Sequence, residues 1–277
     1  MTTTDETTKP GASGLTETRL PLPGVLRPWF VDAAFTSVDG ELREPFTHVP
    51  DAVTKMVVRV EENGRRDVLV VGPRTRASYH ASKRLASCVQ LRLGPGAARP
   101  LLGVPAVDLV GKVAPLGDFP GDHARQLADE LLPLEPERVV PHLTETLPER
   151  LAPADPARTE LLRAAVEAMS TDAGRLPVGV RELAGHLAVS ERQLRNLFTD
   201  GVGVSPKHYA RIARVRHILT HARSAPETPW AQLATATGYY DQSHMAADFR
   251  TLMGVPPTSF FTGRLPEAQP CQAYRHA

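Results

Sequence analysis

The sequence predicts an α+β protein, with a β-rich N-terminal domain followed by an all-α C-terminal domain. Short segments of the first half alternate apolar and polar residues, as half-buried strands do. A helical pattern near the C-terminus occurs twice, and a proline-rich stretch precedes it. We therefore expect a disordered tail at 1–19, a β-rich domain at 20–132, a linker at 133–157, a helical domain at 158–265 and a tail at 266–277.

The first half contains several candidate strands. Residues 53–60, 68–71 and 86–93 read as strands, and Asn63-Gly64 is a strong hairpin signal between the first two. Short helices or turns are expected at 97–102 and 106–110, and a longer helix at 122–132. Six prolines in residues 133–157 should prevent a helix from running far there. The first 19 residues are polar and rich in threonine, which favours disorder.

The repeat has an offset of 51 residues. The first copy contains Phe198, Gly203 and Pro206, and the same residue types recur at Phe249, Gly254 and Pro257. Just upstream the offset is 50, because the connection in the second copy is one residue longer. A repeat of this size is usually one supersecondary element used twice.

The first copy predicts two short helices joined by a tight turn. Val180, Leu183, Ala184 and Leu187 form the apolar stripe of the first helix. Ser190 can N-cap the second helix by accepting a hydrogen bond from an early backbone N–H. This arrangement is typical of a helix-turn-helix.

The outer face of the second helix carries Arg192, Arg195 and Asn196. Arginine can bind guanine and asparagine can bind adenine in the major groove, each with two hydrogen bonds. The alternative is a pair of core helices with a solvated outer face. The duplication argues against that alternative, because two tandem units can occupy successive major grooves.

The second copy keeps the scaffold but changes its outer face. Asp241 is the expected N-cap, and Met245 and Phe249 belong to the inner stripe. The outer face is nearly uncharged and consists of Gln242, Ser243, Ala246, Ala247 and Arg250. Asp248 would repel phosphate if it were exposed. The first unit is therefore expected to carry most of the sequence discrimination.

Basic charge is concentrated around the first unit. The whole chain has a net charge of only +1, yet residues 181–223 contain eight Arg and Lys residues against three acids. Lys207, Arg211, Arg214, Arg216 and Arg223 lie on one predicted long helix between the two units. These cations could contact phosphates or could simply solvate a helix.

These motifs resemble the C-terminal DNA-binding domain of the AraC/XylS family of bacterial transcription regulators. The resemblance covers about residues 157–263. It is carried by residues 180–184 (VRELA), 189–194 (VSERQL), 197–198 (LF), 203–207 (GVSPK), Ala234, 238–239 (GY), 241–244 (DQSH), Phe249 and 254–257 (GVPP).

The resemblance implies seven helices, with two helix-turn-helix units bridged by a long helix, and it implies double-stranded DNA and RNA polymerase as partners. The implied DNA-binding residues are Ser190, Arg192, Gln193, Arg195, Asn196, Lys207, Arg211, Gln242, Ser243, His244, Ala246 and Arg250. The chain departs from the family at Asn196 and Ala247, where members typically carry Arg, and at Met245, where Phe is common.

The N-terminal half is similar to a domain that is fused ahead of this module in actinobacterial regulators. The similarity rests on residues 50–51 (PD), 72–73 (GP), 91–97 (LRLGPGA), 102–105 (LGVP) and 113–116 (VAPL). By analogy, this domain would sense a small-molecule or protein effector and could support a homodimer.

Other functions are also open at this stage. His48, Tyr79 and His80, with Trp29 as an aromatic wall, could line a pocket, but no metal-ligand spacing or nucleophile motif accompanies them. We therefore expect no metal, no cofactor and no enzymatic activity. The alternatives are a metal-binding or enzymatic sensor with secondary DNA binding, and an architectural DNA-binding protein.

The cysteines and the apolar segments bear on location. Cys88 and Cys271 match no metal spacing, and a disulfide between them is not expected. No apolar run approaches a membrane-spanning length, and no signal peptide is expected. These features favour a cytoplasmic protein without a membrane partner.

Overall fold

A computed structural model describes residues 15–38, 45–82, 85–152, 155–170 and 178–269. The strands in this part are β1 (Leu15–Leu20), β2 (Phe30–Val38), β3 (Phe46–His48), β4 (Lys55–Val60), β5 (Arg66–Val71), β6 (Ser78–His80), β7 (Ser87–Leu93) and β8 (Val113–Pro115). The helices are α1 (Ala98–Leu102), α2 (Asp122–Leu131), α3 (Pro136–Arg150), α4 (Pro156–Met169), α5 (Val180–His186), α6 (Glu191–Gly201), α7 (Pro206–Ser224), α8 (Trp230–Ala236), α9 (Gln242–Met253) and α10 (Pro257–Phe261). The predicted α+β fold class is confirmed.

The N-terminal half is built on an antiparallel sheet. Six strands pair in the order β1-β2-β7-β4-β5-β8, and β3 pairs with β6 in a separate two-stranded sheet. The three strands that the sequence predicts are present as β4, β5 and β7. Gly64 takes a left-handed φ of 79° in the β4–β5 hairpin, as the Asn63-Gly64 signal predicts.

One face of this sheet packs against α1, α2 and α3. Their shared core includes Phe30 from β2, Met56 from β4 and Leu91 from β7, all with no exposed surface. Leu127 of α2 and Leu143 of α3 complete it from the helical side. The alternating pattern of the strands is therefore explained by one apolar face, which is covered by helices.

Helix α3 corrects the expectation that prolines break up residues 133–157. It runs for 15 residues with Pro136 in its first turn and with Pro141 and Pro148 inside it. Each interior proline costs about 3 kcal/mol. Burial of an apolar side chain stabilises the fold by about 1.5–3 kcal/mol, so that the apolar stripe of α3 can outweigh this cost. The stripe consists of Val139, Val140, Leu143 and Leu147.

Strand β1 corrects part of the expected N-terminal tail. Residues 15–19 are not disordered, because β1 pairs along its whole length with β2, from Leu15 opposite Val38 to Leu20 opposite Ala33. An edge strand is held mainly by backbone hydrogen bonds and does not need an apolar stripe. The other 14 residues of the expected tail lie outside the described residues, as do residues 270–277 of the C-terminal one.

The C-terminal half contains both predicted helix-turn-helix units. Helices α5 and α6 form the first, α8 and α9 form the second, and the 19-residue α7 connects them. Leu194 and Phe198 of the first unit and Met245 and Phe249 of the second are fully buried in a common core. The inner stripes inferred from the repeat are confirmed.

The two halves of the protein pack directly against each other. Ala52, just before β4, belongs to the core of the C-terminal half. Gly203, after α6, comes so close to the N-terminal half that an added Cβ would lie 2.7 Å from the carbonyl oxygen of Ala106 and 3.1 Å from Cγ of Pro73. Gly254, its counterpart in the repeat, has only Cγ of Pro266 nearby, at 3.9 Å.

These two glycines allow a matched test of the packing between the halves. Both have a left-handed φ, 95° at Gly203 and 79° at Gly254, so alanine should cost about 1–2 kcal/mol at either position. Gly203→Ala should cost a further 1–3 kcal/mol, because its methyl group meets the backbone of the N-terminal half. Urea denaturation of both variants checks this, and equal losses would contradict the close approach.

Candidate nucleic-acid interface

The turn of the first unit places α6 at the surface. Ala188 adopts a left-handed φ of 53° in this turn, where the second unit has Gly238 at 77°. Ser190 then caps α6. Its hydroxyl accepts a hydrogen bond from the N–H of Gln193 at 3.1 Å, and the Gln193 side chain accepts one from the N–H of Ser190 at 2.9 Å. Ser190 and Gln193 therefore have a structural role in starting α6.

The outer face of α6 is polar and open to solvent. Arg192, Arg195 and Asn196 are exposed and share one face, while Leu194 and Leu197 point to the core. In the part of the chain that the structure describes, neither arginine forms an ion pair with a carboxylate. Their hydrogen-bond donors are therefore free for an external partner that presents acceptors, such as the major-groove edge of guanine.

We call α6 and α9, the second helices of the two units, the first and the second reader. The second reader carries fewer exposed cations than the first. Asp241 caps it by accepting a hydrogen bond from the N–H of His244 at 2.7 Å. The His244 ring lies edge-on to Tyr239, with centroids 5.2 Å apart. Its other predicted contact residues are exposed or half-buried, namely Gln242, Ser243, Ala246 and Arg250. Arg250 is the one cation among them.

Asp248 lies on the inner side of α9 and holds cations of α7. Its Oδ1 accepts a hydrogen bond from Nε of Arg211 at 2.9 Å, and Nη2 of the same guanidinium lies 2.8 Å from this oxygen in an ion pair. Nη2 of Arg214 is 3.8 Å from Oδ2, and the Arg214 guanidinium lies 4.5 Å above the centre of the Tyr239 ring. Asp248 is buried, so the repulsion of phosphate considered for an exposed Asp248 does not arise.

Arg211, whose contact with DNA stays a prediction, is engaged within the chain. Its guanidinium is half-buried and bound to Asp248, so it joins the bridging helix to the second reader. Arg216 is also engaged within the chain, since its Nη1 donates to the carbonyl of Pro50 at 3.2 Å. Lys207 and Arg223, in contrast, are exposed on α7.

Residues 183–263 match the sequence model of the helix-turn-helix domain, and this match spans both units. The chain carries an AraC-type helix-turn-helix domain. Domains of this type bind DNA in transcription regulation. A search of curated proteins found no match.

Three solved structures are similar to parts of the chain. The C-terminal domain of AraT, a response regulator from Geobacillus stearothermophilus, is 21% identical over 42% of this chain and 96% of its own, with a TM-score of 0.35. A transcriptional regulator from Chromobacterium violaceum is 22% identical over 40% of this chain and 96% of its own, with a TM-score of 0.35. ToxT from Vibrio cholerae is 10% identical over 80% of this chain and 95% of its own, with a TM-score of 0.40.

The N-terminal half binds the C-terminal ends of both reader helices of the AraC-type domain. The N–H of Gly96 donates to the carbonyl of Gly201, at the end of α6, at 2.9 Å. At the end of α9, the carbonyl of Leu252 accepts from the N–H of Ala77 at 2.7 Å, and that of Met253 accepts from the Tyr79 hydroxyl at 2.5 Å. No local pattern in the sequence indicates these contacts.

The hydroxyl of Tyr79, a candidate pocket residue, is engaged within the chain. Burial raises the pKa of its hydroxyl to about 12, so it remains a donor to Met253 at neutral pH. On β3 and β6, the His80 ring stacks on Phe46, and the His48 ring meets Phe46 edge-on. Trp29 is buried in the N-terminal core.

Asp51 is the centre of an ion cluster between the halves. Its carboxylate lies 3.0 Å from Nζ of Lys55, 3.3 Å from Arg92 and 3.8 Å from Arg216 of α7. Burial alone would raise the pKa of Asp51. The three cations together outweigh burial and hold the pKa of this carboxyl well below its usual range.

The remaining features concern metals and membranes. Within the described ranges, no group of three or more His, Cys, Asp or Glu residues is placed to hold a metal ion. Cys88 is buried and free, and Cys271 lies outside the described residues. None of the helices described has the length and apolar character that crossing a membrane requires.

The Asp51 cluster predicts a loss of stability in acid. Because the folded state depresses this pKa, the carboxylate stabilises the fold above its unfolded pKa of about 3.9, and that contribution is lost as the pH falls through the folded value. Asp51→Asn should lower the free energy of unfolding at pH 7 by about 3 kcal/mol and reduce its fall on acidification. Urea denaturation between pH 7 and pH 2 measures both effects.

Asp122→Asn is the matched control, because Asp122 is 90% exposed and, among the residues that the structure describes, pairs with Arg125 alone, one turn away. In this control, the free energy of unfolding at pH 7 and its decrease on acidification should both stay close to the wild-type values. An Asp51→Asn variant that behaves like this control would contradict the stabilising role of the cluster.

Proposed function

We propose that this protein is a sequence-specific DNA-binding transcription regulator in which the first reader, α6, makes the main base contacts. One observation carries the proposal. In a domain of AraC type, Arg192, Arg195 and Asn196 stand exposed on one face of α6 and are not engaged by carboxylates among the described residues. Ser190 and Gln193 support this face by capping the helix.

The second reader contributes a shallower contact. Ala246 and Ala247 can touch only apolar groups such as the methyl of thymine, and Gln242 and Ser243 can form hydrogen bonds at the start of the helix. Lys207, exposed at the start of α7, supplies a phosphate contact beside the first reader. The two units thus act on neighbouring grooves with unequal discrimination.

We also propose that the N-terminal half senses a signal in a cavity of about 550 Å³ between the halves. Apolar walls come from Val31, Val53, Leu93, Val166 and Val202, and charged groups come from Arg19, Asp32, Arg92, Arg163 and Glu167. Small-molecule sites commonly have this size and this mixture of groups. A molecule bound here touches both halves, so its affinity depends on their arrangement. The resulting shift would be transmitted to RNA polymerase, either by the monomer or by a homodimer.

Base readout is tested with Arg195→Ala. A target motif is first selected from a random DNA pool with the wild-type protein. Arg195→Ala should then weaken binding to that motif by about 1–3 kcal/mol and relax one base position, because a pair of hydrogen bonds to guanine is lost. Binding to random DNA should change much less. Equal losses on both DNAs would contradict base readout by Arg195, and the absence of any selected motif would favour an architectural protein.

The sensing cavity is tested by filling it. Val166→Trp should block the cavity, so that compounds from a small-molecule library that raise the Tm of the wild type no longer raise that of the variant. The matched control is Val25→Trp, because Val25 is exposed in a turn of the N-terminal half away from the cavity. Compounds that stabilise both variants alike would contradict binding in this cavity.

A further inference from the structure

A shallow groove lies between the N-terminal half and the outer side of the second reader. Arg76, Ala77 and Tyr79 form one wall, and Ala247, Arg250 and Thr251 of α9 form the other. The groove therefore includes two residues from the outer face of α9. It also brings one arginine of the N-terminal half to that face.

The position of Arg76 is fixed from both sides. On one side, Arg74 exchanges two backbone hydrogen bonds with Asp51, at 2.7 and 2.9 Å. On the other side, Ala77 and Tyr79 bind the last carbonyls of α9. Arg76 is thus part of a short segment that is anchored to the reader helix itself.

The groove is positively charged. Arg76 and Arg250 are exposed, and neither pairs with a carboxylate in the described part of the chain. Asp248 is the one acid of α9, and it is bound to Arg211 on the inner side. The segment from Arg74 to His80 contains no acidic residue. Two unneutralised guanidinium groups therefore share one groove beside the small side chain of Ala247.

The distance along α9 identifies the anion that this groove would meet on DNA. Arg250 follows Gln242 by eight residues, which corresponds to about 12 Å along a helix at 1.5 Å per residue. The start of a reader helix lies at the base edges, and the major groove is about 12 Å wide. When Gln242 and Ser243 reach bases, the Arg76–Arg250 groove lies at the rim of the major groove, where the phosphates are.

From this geometry we propose that Arg76 and Arg250 together bind a backbone phosphate next to the second reader. The N-terminal half then takes part in DNA binding directly, and it supplies a cation to a reader face that has only Arg250 of its own. Guanidinium groups suit this role because each can donate two parallel hydrogen bonds to a phosphate. The inference rests on the proposed DNA-binding function. An acidic protein surface is the competing occupant.

The test uses full-length protein and the DNA motif selected by the wild type. Binding constants are measured from 50 to 200 mM salt for the wild type, Arg76→Ala, Arg250→Ala and the double variant. Loss of one phosphate contact should reduce the slope of log K against log salt by about 0.9. Because both arginines bind the same phosphate, the slope for the double variant should also be reduced by no more than about 0.9. Arg76→Lys should retain the slope because it keeps the charge.

Arg27→Ala is the matched control. Arg27 is also an exposed cation of the N-terminal half, but it follows a turn that packs on α3. It should leave the slope unchanged, which separates a local contact from a general effect of net charge. Ethylation interference adds a positional readout. Ethylation of one phosphate beside the bases that α9 contacts should weaken binding of the wild type but should not weaken binding of Arg76→Ala.

The outcomes separate this inference from the proposed function. If the wild type selects a motif but Arg76→Ala keeps its salt slope and its ethylation pattern, the phosphate contact is overturned while base readout stands. That result would favour the acidic protein surface as the partner of the groove. If the wild type selects no motif, the proposed function fails, and this inference fails with it.

Discussion

The last turn of an α-helix leaves carbonyl oxygens without partners inside the helix, and both reader helices present such carbonyls to the N-terminal half. Gly96 satisfies Gly201 at the end of α6, and Ala77 satisfies Leu252 at the end of α9. Leaving a buried carbonyl without a donor costs about 1–3 kcal/mol. Separation of the two halves would therefore break hydrogen bonds at both readers. The orientation of one reader relative to the other thus depends on the N-terminal half as well as on α7.

This constraint connects the cavity to the first reader. Gly201 and Val202 line the cavity, and Gly201 also accepts the hydrogen bond from Gly96. Leu162 of α4 packs at the same point, where an added Cβ on Gly201 would lie 2.2 Å from its Cδ2. A molecule bound in the cavity, as we propose, would therefore act on the anchor of α6 without touching its outer face. The second reader is anchored elsewhere, through Ala77 and Tyr79, so the proposed signal would act on the anchor of one reader and not on that of the other.

The repeat provides one scaffold for two different tasks. In the first unit, cations stand on the outer face of the reader, at Arg192 and Arg195. In the second, an acid on the inner side of the reader, Asp248, draws Arg211 and Arg214 of the bridging helix inward. That ion cluster fixes α9 to α7 but leaves its outer face with little charge. The exposed cations and the ion cluster that links α9 to α7 are consequently concentrated in different copies.

The parts of the fold that could be predicted are those determined by neighbours in the sequence. Helices α5, α6, α8 and α9 follow from apolar spacing and from the caps at Ser190 and Asp241, all within a few residues. Helix α3 could not be predicted from its prolines, because its stability comes from a core shared with distant strands. Strand β1 could not be predicted from its composition, because its partner β2 supplies its hydrogen bonds.

The candidate site shows the same division. Lys207 and Arg211 belong to one charged run of the sequence, yet Lys207 is exposed while Arg211 is bound to a carboxylate 37 residues away. Arg76 lies in no recognisable motif, but long-range hydrogen bonds, one of them between residues 174 apart in the sequence, hold its segment on the second reader. The role of a cation in this protein is thus decided by what the fold places opposite it. Local sequence specifies where the readers are, and long-range contacts specify which charges remain free to meet DNA.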